Sequence, residues 1–411
     1  MPGSIELKES TGQNLEEKTQ KTYRGDLWRG GFEGVLSSGA QTFCLFIAIR
    51  FFHAGETTKA LIAAAPFMGM FLSMVLLHYA SFTQWKKSTW GALPSFITGG
   101  CLFIAAWAQS LTLFACTVIA GYICRSALIP FITEIYSDNY PPDKRAAFFS
   151  RPLLLTVGVA ALSGFIGSWI LELDIDNYHW LFTFLGLCAI GKAMAIISMP
   201  SETILNSSHT NPFGNMKYAI HDKSFGYVLL TWFIMGFANL WTLPLRVDYI
   251  TAPQWGIEGS AIFVAMIITI IPETMRMLLI PFWASLFDKM NFVILRMILN
   301  LFFGFGILLF FVTSNPWIIG LGSAMIGAAF AGGSIAWNLW VTKYAPPGKT
   351  GAYMSVHVSL TGIRGTIGPI MGYWTVNLIG AQNIGILSFA MMLFATLMLI
   401  PEIKHGHRPG S

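Results

Sequence analysis

Charge is scarce in this chain. Asp, Glu, Lys and Arg make up 11% of its 411 residues, less than half the share of about 25% found in soluble globular domains, which excludes a string of ordinary soluble domains. Cysteine is scarce as well. The five present (Cys44, Cys101, Cys116, Cys124 and Cys188) lie in or beside apolar stretches, with no CxxC pair and no histidine at ligand spacing. They read as small buried residues, and neither a metal centre nor a disulfide framework is expected. Enzyme signatures are missing: there is no GxxxxGK[ST] phosphate loop, no HExxH and no GxSxG. The longest polar segments run to about 25 residues, far short of a nucleotide-binding domain. An enzyme and an ATP-driven pump are therefore excluded, and no cofactor is expected. The first 26 residues hold no apolar core ahead of a cleavage site, so no removable signal peptide is expected and the first apolar span does the targeting.

What the chain does have is apolar length. Hydrophobic residues make up 54% of it and its mean hydropathy is +0.60. A bilayer core of about 30 Å takes roughly 20 helical residues, and only helices or closed barrels satisfy their backbone there. The runs are too long for barrel strands, which predicts an all-α integral membrane protein. Twelve spans are expected at 27–51, 57–79, 89–110, 111–136, 148–171, 178–199, 224–248, 258–284, 292–313, 315–343, 351–377 and 381–402.

The spans fall into two related sets of six. PPDKRAAFFSRPLLLTVGVAALSGFIGSWI at 141–170 aligns without a gap to PPGKTGAYMSVHVSLTGIRGTIGPIMGYWT at 346–375, matching at both prolines and at Lys144/Lys349, Ala147/Ala352, Ser150/Ser355, Leu155/Leu360, Thr156/Thr361, Gly167/Gly372 and Trp169/Trp374. Duplicated apolar segments of this kind mark secondary transporters that rock two bundles about a central site. The expected organisation is an N-terminal tail 1–26, a six-helix bundle 27–199, a linker 200–223, a second bundle 224–402 and a C-terminal tail 403–411. One set of loops carries Lys86, Lys87, Lys144, Arg145, Lys217, Lys223, Lys289, Lys343 and Lys349, whereas the other has Arg50, Lys59 and Arg246 near span ends and the acidic LELDID at 171–176. That asymmetry places both termini in the cytoplasm. It also accounts for the net charge of +5, so no nucleic-acid partner is implied.

LLHYASFTQWKKS (76–88) and IPFWASLFDKMNF (280–292) follow the second and eighth spans and share Ala-Ser at 80–81 and 284–285. With these basic loops and its two sets of six, the chain from 24 to 402 resembles the major facilitator superfamily, and YMSVHVSLTGIRGTIGP (353–369) resembles its bacterial members. The resemblance implies two pseudo-symmetric six-helix bundles, a multi-pass location in a bacterial inner (plasma) membrane, and a monomer. It also implies a cavity lined by the first, fourth, seventh and tenth helices and flanked by the second, fifth, eighth and eleventh. Asp288-Lys289 matches the acid-base pair expected for gating in the second copy; the first copy has no acid there.

Charges at bilayer depth are costly, and they usually pair or face a cavity. Arg125 falls mid-span in the fourth helix, Glu273 and Arg276 one turn apart in the eighth, and Arg364 centrally in the eleventh. Glu273 and Arg276 read either as a structural ion pair or as site residues, and Arg125, with no acid within a turn, reads as a substrate or gating residue. Lys192, about two turns from the end of the sixth span, is expected to snorkel to the interface. Polar stripes run along four helices: Glu33, Ser37 and Gln41; Asn239, Thr242 and Arg246; Thr269, Glu273 and Arg276; His357, Thr361 and Arg364. Trp241, Trp337 and Trp340 with Asn338 add an aromatic and amide lining, Trp340 also reading as an interfacial tryptophan.

Three arginines against one central acid suit a carboxylate or phosphate, so the expected occupant is a small organic anion held by Arg125, Arg276, Arg364, Asn338, Asn239 and Gln41. Protons, or another coupling ion, would act through Glu33, Glu273 or His357, though Glu33 also reads as an i,i+4 partner of Arg29. The expectation is gradient-driven transport by alternating access. Export of amphiphilic compounds is the alternative, favoured by an aromatic content of 14%; a transporter-shaped sensor or assembly factor is a third.

Overall fold

The computed structural model describes residues 3–80, 82–141, 145–203, 216–345 and 350–405. Among these the chain is helix and short turns, with one isolated bridge between Lys86 and Thr203. Twelve long helices follow the chain. α1 joins Gly3–Ser38 to Cys44–Arg50 through a π turn, Gly39–Phe43. α2 is Glu56–Ala80, α3 Lys87–Ala106, α4 the pair Leu111–Ala127 and Ile129–Asn139, α5 Arg145–Leu173 and α6 Tyr178–Ile197. α7 joins Lys223–Thr242 to Leu245–Thr251, and α8 joins Ala261–Ala265 to Ile271–Lys289 through a second π turn, Met266–Ile270. α9 is Phe292–Phe311, α10 Pro316–Leu339, α11 Thr350–Ile379 and α12 Ala381–Met398.

Local chemistry sets the helix starts. Ser110, Asp222, Asn291 and Asn315 each accept a bond from a first-turn N–H of α4, α7, α9 and α10, and Pro316 opens α10 where no N–H is needed. Thr98 and Thr156 back-bond to the carbonyls one turn earlier, at 2.8 Å to Pro94 and 2.9 Å to Pro152, so their hydroxyls are satisfied within α3 and α5. Among the described residues nine helical stretches are long and apolar enough to cross a bilayer, and α1, α2 and α11 complete the twelve. The expected tail 1–26 is not loose chain: α1 is helical from Gly3 onward, and Thr19, Thr22 and Asp26 are buried.

The repeat places α5 and α11 in equivalent positions, and both lie at the seam between the halves, α5 against α8 and α11 against α2. Glycines bring the seam close. A Cβ at Gly365 of α11 would strike the Phe67 ring of α2. Midway along it, Thr42 and Thr269, one in each π turn, share a hydrogen bond of 2.5 Å. At the face remote from the chain termini, Lys59 of α2 bonds Asp248 of α7 at 2.5 Å and Arg50 of α1 donates to the Gly259 carbonyl at 3.2 Å. At the terminal face, bonds tie each half to itself: Thr19 to Asn139 and Asn139 to Pro200 in one, Tyr353 to Asp222 and Asn291 to Ile403 in the other.

Candidate functional site

The i,i+4 spacing of Glu33 and Ser37 puts both on one face of α1, and that face meets α4 and α6. Arg125 of α4 donates through Nη2 to Glu33 Oε1 at 2.5 Å and to Ser37 Oγ at 3.0 Å. Lys192 of α6 donates to Glu33 Oε2 at 2.6 Å. One carboxylate on one helix is thus shared by two cations from two others, and Arg125 Nε lies buried with no partner among the described residues. Two expectations are corrected here. Lys192 does not snorkel; it is 2% exposed and turned inward, because an acid on another helix stabilises its charge more than a distant interface would. Arg29 pairs with Asp26 at 2.6 Å rather than with Glu33, and Asp26 also accepts from Tyr136 at 2.5 Å.

On α8 the i,i+3 pair closes on itself: Arg276 Nη1 donates to both Glu273 oxygens, at 2.8 and 2.7 Å, and Nη2 reaches Ser334 of α10 at 3.5 Å. Arg364 turns away from α8. It donates to the Trp232 carbonyl of α7 and to Thr361 Oγ1 at 3.1 Å, lying across Gly236, where any Cβ would collide with it. Arg246 reaches back along α7 to Asn239 Oδ1 at 2.7 Å and Thr242 at 3.4 Å. The four stripes therefore do not converge on one cavity: Glu33 and Ser37 turn into the N-terminal half, Thr269 reaches across the seam while Glu273 and Arg276 pair beside α10, and the stripes of α7 and α11 turn into the C-terminal half.

The aromatic lining is redistributed. Trp340 is neither interfacial nor lipid-facing; it is fully buried and stacks on Trp232 and Phe225. Trp241 donates to Thr375 at 3.0 Å and pins α7 to α11. His357 is buried among Trp232, Trp337 and Trp340. The side chains of Gln41, Asn338 and Asp288 lie outside the described residues, and Lys289 is exposed at the end of α8. Among the described residues two ion pairs bridge the halves, Arg50–Glu258 at 4.0 Å and the shorter Lys59–Asp248, the latter supported by Glu56 at 3.0 Å from Lys59 and Trp255 Nε1 at 2.9 Å from Asp248. Sequence reasoning missed the shorter pair, because Lys59 and Asp248 sit at span ends where charges are ordinary. It also missed Arg296, whose only signal was a guanidinium one turn inside an apolar span. Among the described residues, Arg246, Arg296 and Arg364 are buried with no carboxylate at ion-pair distance, whereas Arg125 and Lys192 share Glu33 and Arg276 takes Glu273.

Two helical halves of six spans each, meeting at a seam that carries buried charge, define a membrane transporter rather than an enzyme. The family model of the Major Facilitator Superfamily matches residues 34–369, and the chain belongs to that family. A stretch of 126 residues is 32% identical to the multidrug export protein EmrB of Haemophilus influenzae, covering 28% of this chain and 23% of that relative's length. Among solved structures, a mutant of the nucleoside transporter NupG superposes with a TM-score of 0.72 at 12% identity, covering 93% of this chain and 99% of that one. A D-xylose-proton symporter superposes with a TM-score of 0.70 at 16% identity, over 94% and 98%. At such identities the likeness is one of fold.

Proposed function

We propose that this chain is a proton-coupled carrier of a small organic anion, working by alternating access, with Glu33, Arg125 and Lys192 as its coupling site. The observation that carries the reading is the single carboxylate shared by two cations from other helices. In this conformation Glu33 holds both partners. A solute anion that takes the planar fork of Arg125 competes with Glu33 for it. The carboxylate, left in a low-dielectric site with one partner fewer, then gains affinity for a proton. Binding of anion and proton become mutually favourable, which is the thermodynamic requirement for symport. The excess of Lys and Arg in the loops of the terminal face supports a cytoplasmic terminal face, and in that orientation the Lys59–Asp248 pair closes the outer end of the seam. The neighbour named for D-xylose and proton symport supports the choice of coupling ion.

The test is transport in proteoliposomes against a panel of carboxylates and organic phosphates, read as counterflow and as uptake driven by a pH gradient. Glu33→Gln should keep counterflow and lose the pH-driven component. A Glu33→Gln protein still driven by the gradient removes Glu33 from coupling, and the absence of any counterflow favours the non-transporting sensor. The match to a multidrug export protein favours a second reading, export of amphiphilic compounds; substrate-stimulated efflux of apolar cations with no response to anions would select it.

A further inference from the structure

The C-terminal half holds a second charged cluster, set away from the seam. Arg296 of α9 lies over the Trp232 ring with Cζ 4.1 Å from its centroid, and among the described residues the one acceptor it meets is the thioether of Met235, at 2.9 Å. Arg364 of α11 is bound to the carbonyl of that same Trp232. The two guanidiniums are 3% and 5% exposed, and among the described residues neither meets a carboxylate. His357, 1% exposed, packs beside them with its ring centroid 5.3 Å from Trp232, 5.2 Å from Trp337 and 5.3 Å from Trp340.

Five polar nitrogens of this cluster have no partner among the described residues. They are Nε of Arg296, Nε of Arg364, Nε1 of Trp232, Nε1 of Trp340 and Nε2 of His357, and all are buried. A guanidinium does not shed its charge on burial as a lysine does, so the cluster holds two like charges in a low dielectric together with several unfilled donors. Each feature alone is costly, and both are relieved by the same thing: a bound group with negative charge and several acceptor oxygens.

We propose that Arg296, Arg364 and His357, with the indole N–H groups of Trp232 and Trp340, form a binding site for a small oxyanion of the phosphate or carboxylate class. Guanidinium forks match the oxygens of such groups in pairs, which a halide cannot offer. Trp232 fixes both arginines, one by its ring and one by its carbonyl, and Gly236 leaves the room that Arg364 occupies. Arg296 lies in the second turn of α9 and Trp340 directly after α10, which puts the site toward the terminal face. The occupant is either a free inorganic anion or the acidic group of an organic solute. No residue of the Glu33 site takes part, so this site stands or falls separately from the coupling reading.

The test uses the purified full-length protein in detergent, with phosphate, sulfate, acetate and a sugar phosphate compared with chloride at equal ionic strength. Melting temperature and tryptophan emission are both read, since three tryptophans surround the cluster. An oxyanion should raise the melting temperature and shift the emission of the wild-type chain. Inorganic phosphate acting alone identifies a free anion as occupant; a response confined to the organic compounds identifies the solute's acidic group. Arg296→Gln/Arg364→Gln should lose both responses and melt no earlier than wild type in chloride, because two unpaired charges have been removed. Arg296→Lys/Arg364→Lys keeps charge but not forks, and should weaken the apparent affinity about ten-fold; it serves if the glutamine pair does not fold. Arg125→Gln removes the anion partner proposed at the Glu33 site, and it should leave the tryptophan-emission response unchanged, since the three tryptophans surround His357 beside Arg296 and Arg364 rather than Arg125. Wild-type protein unmoved by every oxyanion, a response undiminished in both double variants, or an emission response abolished by Arg125→Gln would each overturn the proposal.

Discussion

Glu33 accepts from Arg125 and Lys192 at once, so its two partners are not equivalent to each other or to a lone charge. Arg125 supplies a planar fork with a buried Nε to spare, whereas Lys192 supplies a point charge. Arg125→Lys should therefore leave the melting temperature nearly unchanged while weakening anion binding about ten-fold, the worth of roughly 1.5 kcal/mol in one charged hydrogen bond. Isothermal titration with a transported anion measures it, and normal affinity would make Arg125 a structural counter-charge. Lys192→Met leaves Glu33 with one partner in a buried site, and should raise the pH at which pH-driven uptake falls off. The Glu273–Arg276 pair answers to a different test. Arg276→Ala removes the bidentate cation from a buried carboxylate and should cost about 1–3 kcal/mol, with Glu273→Gln/Arg276→Gln recovering part of the loss. Thermal unfolding reads the stability and counterflow the activity. A stable, active double variant would leave neither residue a role in transport.

At the scale of helices, the two π turns are the places where the regular ladder gives way, and they face each other across the seam through Thr42 and Thr269. Beyond them the distal end is held by Lys59, which is 4% exposed and sits between Asp248, Glu56 and the face of the Tyr373 ring. Removing that one side chain leaves Asp248 buried with the Trp255 N–H in place of a counter-charge. Lys59→Met should thus destabilise this conformation by about 3–5 kcal/mol and shift the population toward one open at the distal face. A cysteine placed at 262 in a background without native cysteines should then react faster with an impermeant maleimide. Unchanged reactivity would mean that the pair holds nothing shut. Gly365, against the Phe67 ring, shows why α2 and α11 approach as closely as they do.

For the whole molecule, topology is the quantity that decides which end of the seam faces which compartment. Cysteines at 174 and 255 should label from outside intact cells, and those at 86, 210 and 349 only after permeabilisation. Reversed labelling would invert the assignment of the closed end. The twelve-helix fold and its duplication were legible in the chain because bilayer thickness fixes the length of an apolar run and the 141–170 repeat carries its own register. These are local properties, readable one segment at a time. Burial was legible too: Glu273, Arg364 and His357, set well inside their spans, are all buried, and Arg276 partly so. Partnership was not. Lys192 looked free to reach the interface and Arg125 looked alone, because the acid that binds both stands on a third helix more than 90 positions from either. Helical period says which residues share a face of one helix, but not which face of another helix it meets. Tertiary packing alone decided that Arg364 turns into its own bundle against Trp232, that Arg296 joins it there, and that Lys59 and Asp248 close the distal seam. Each of those contacts joins residues from helices far apart in the chain, and its free energy exists only once the helices have docked.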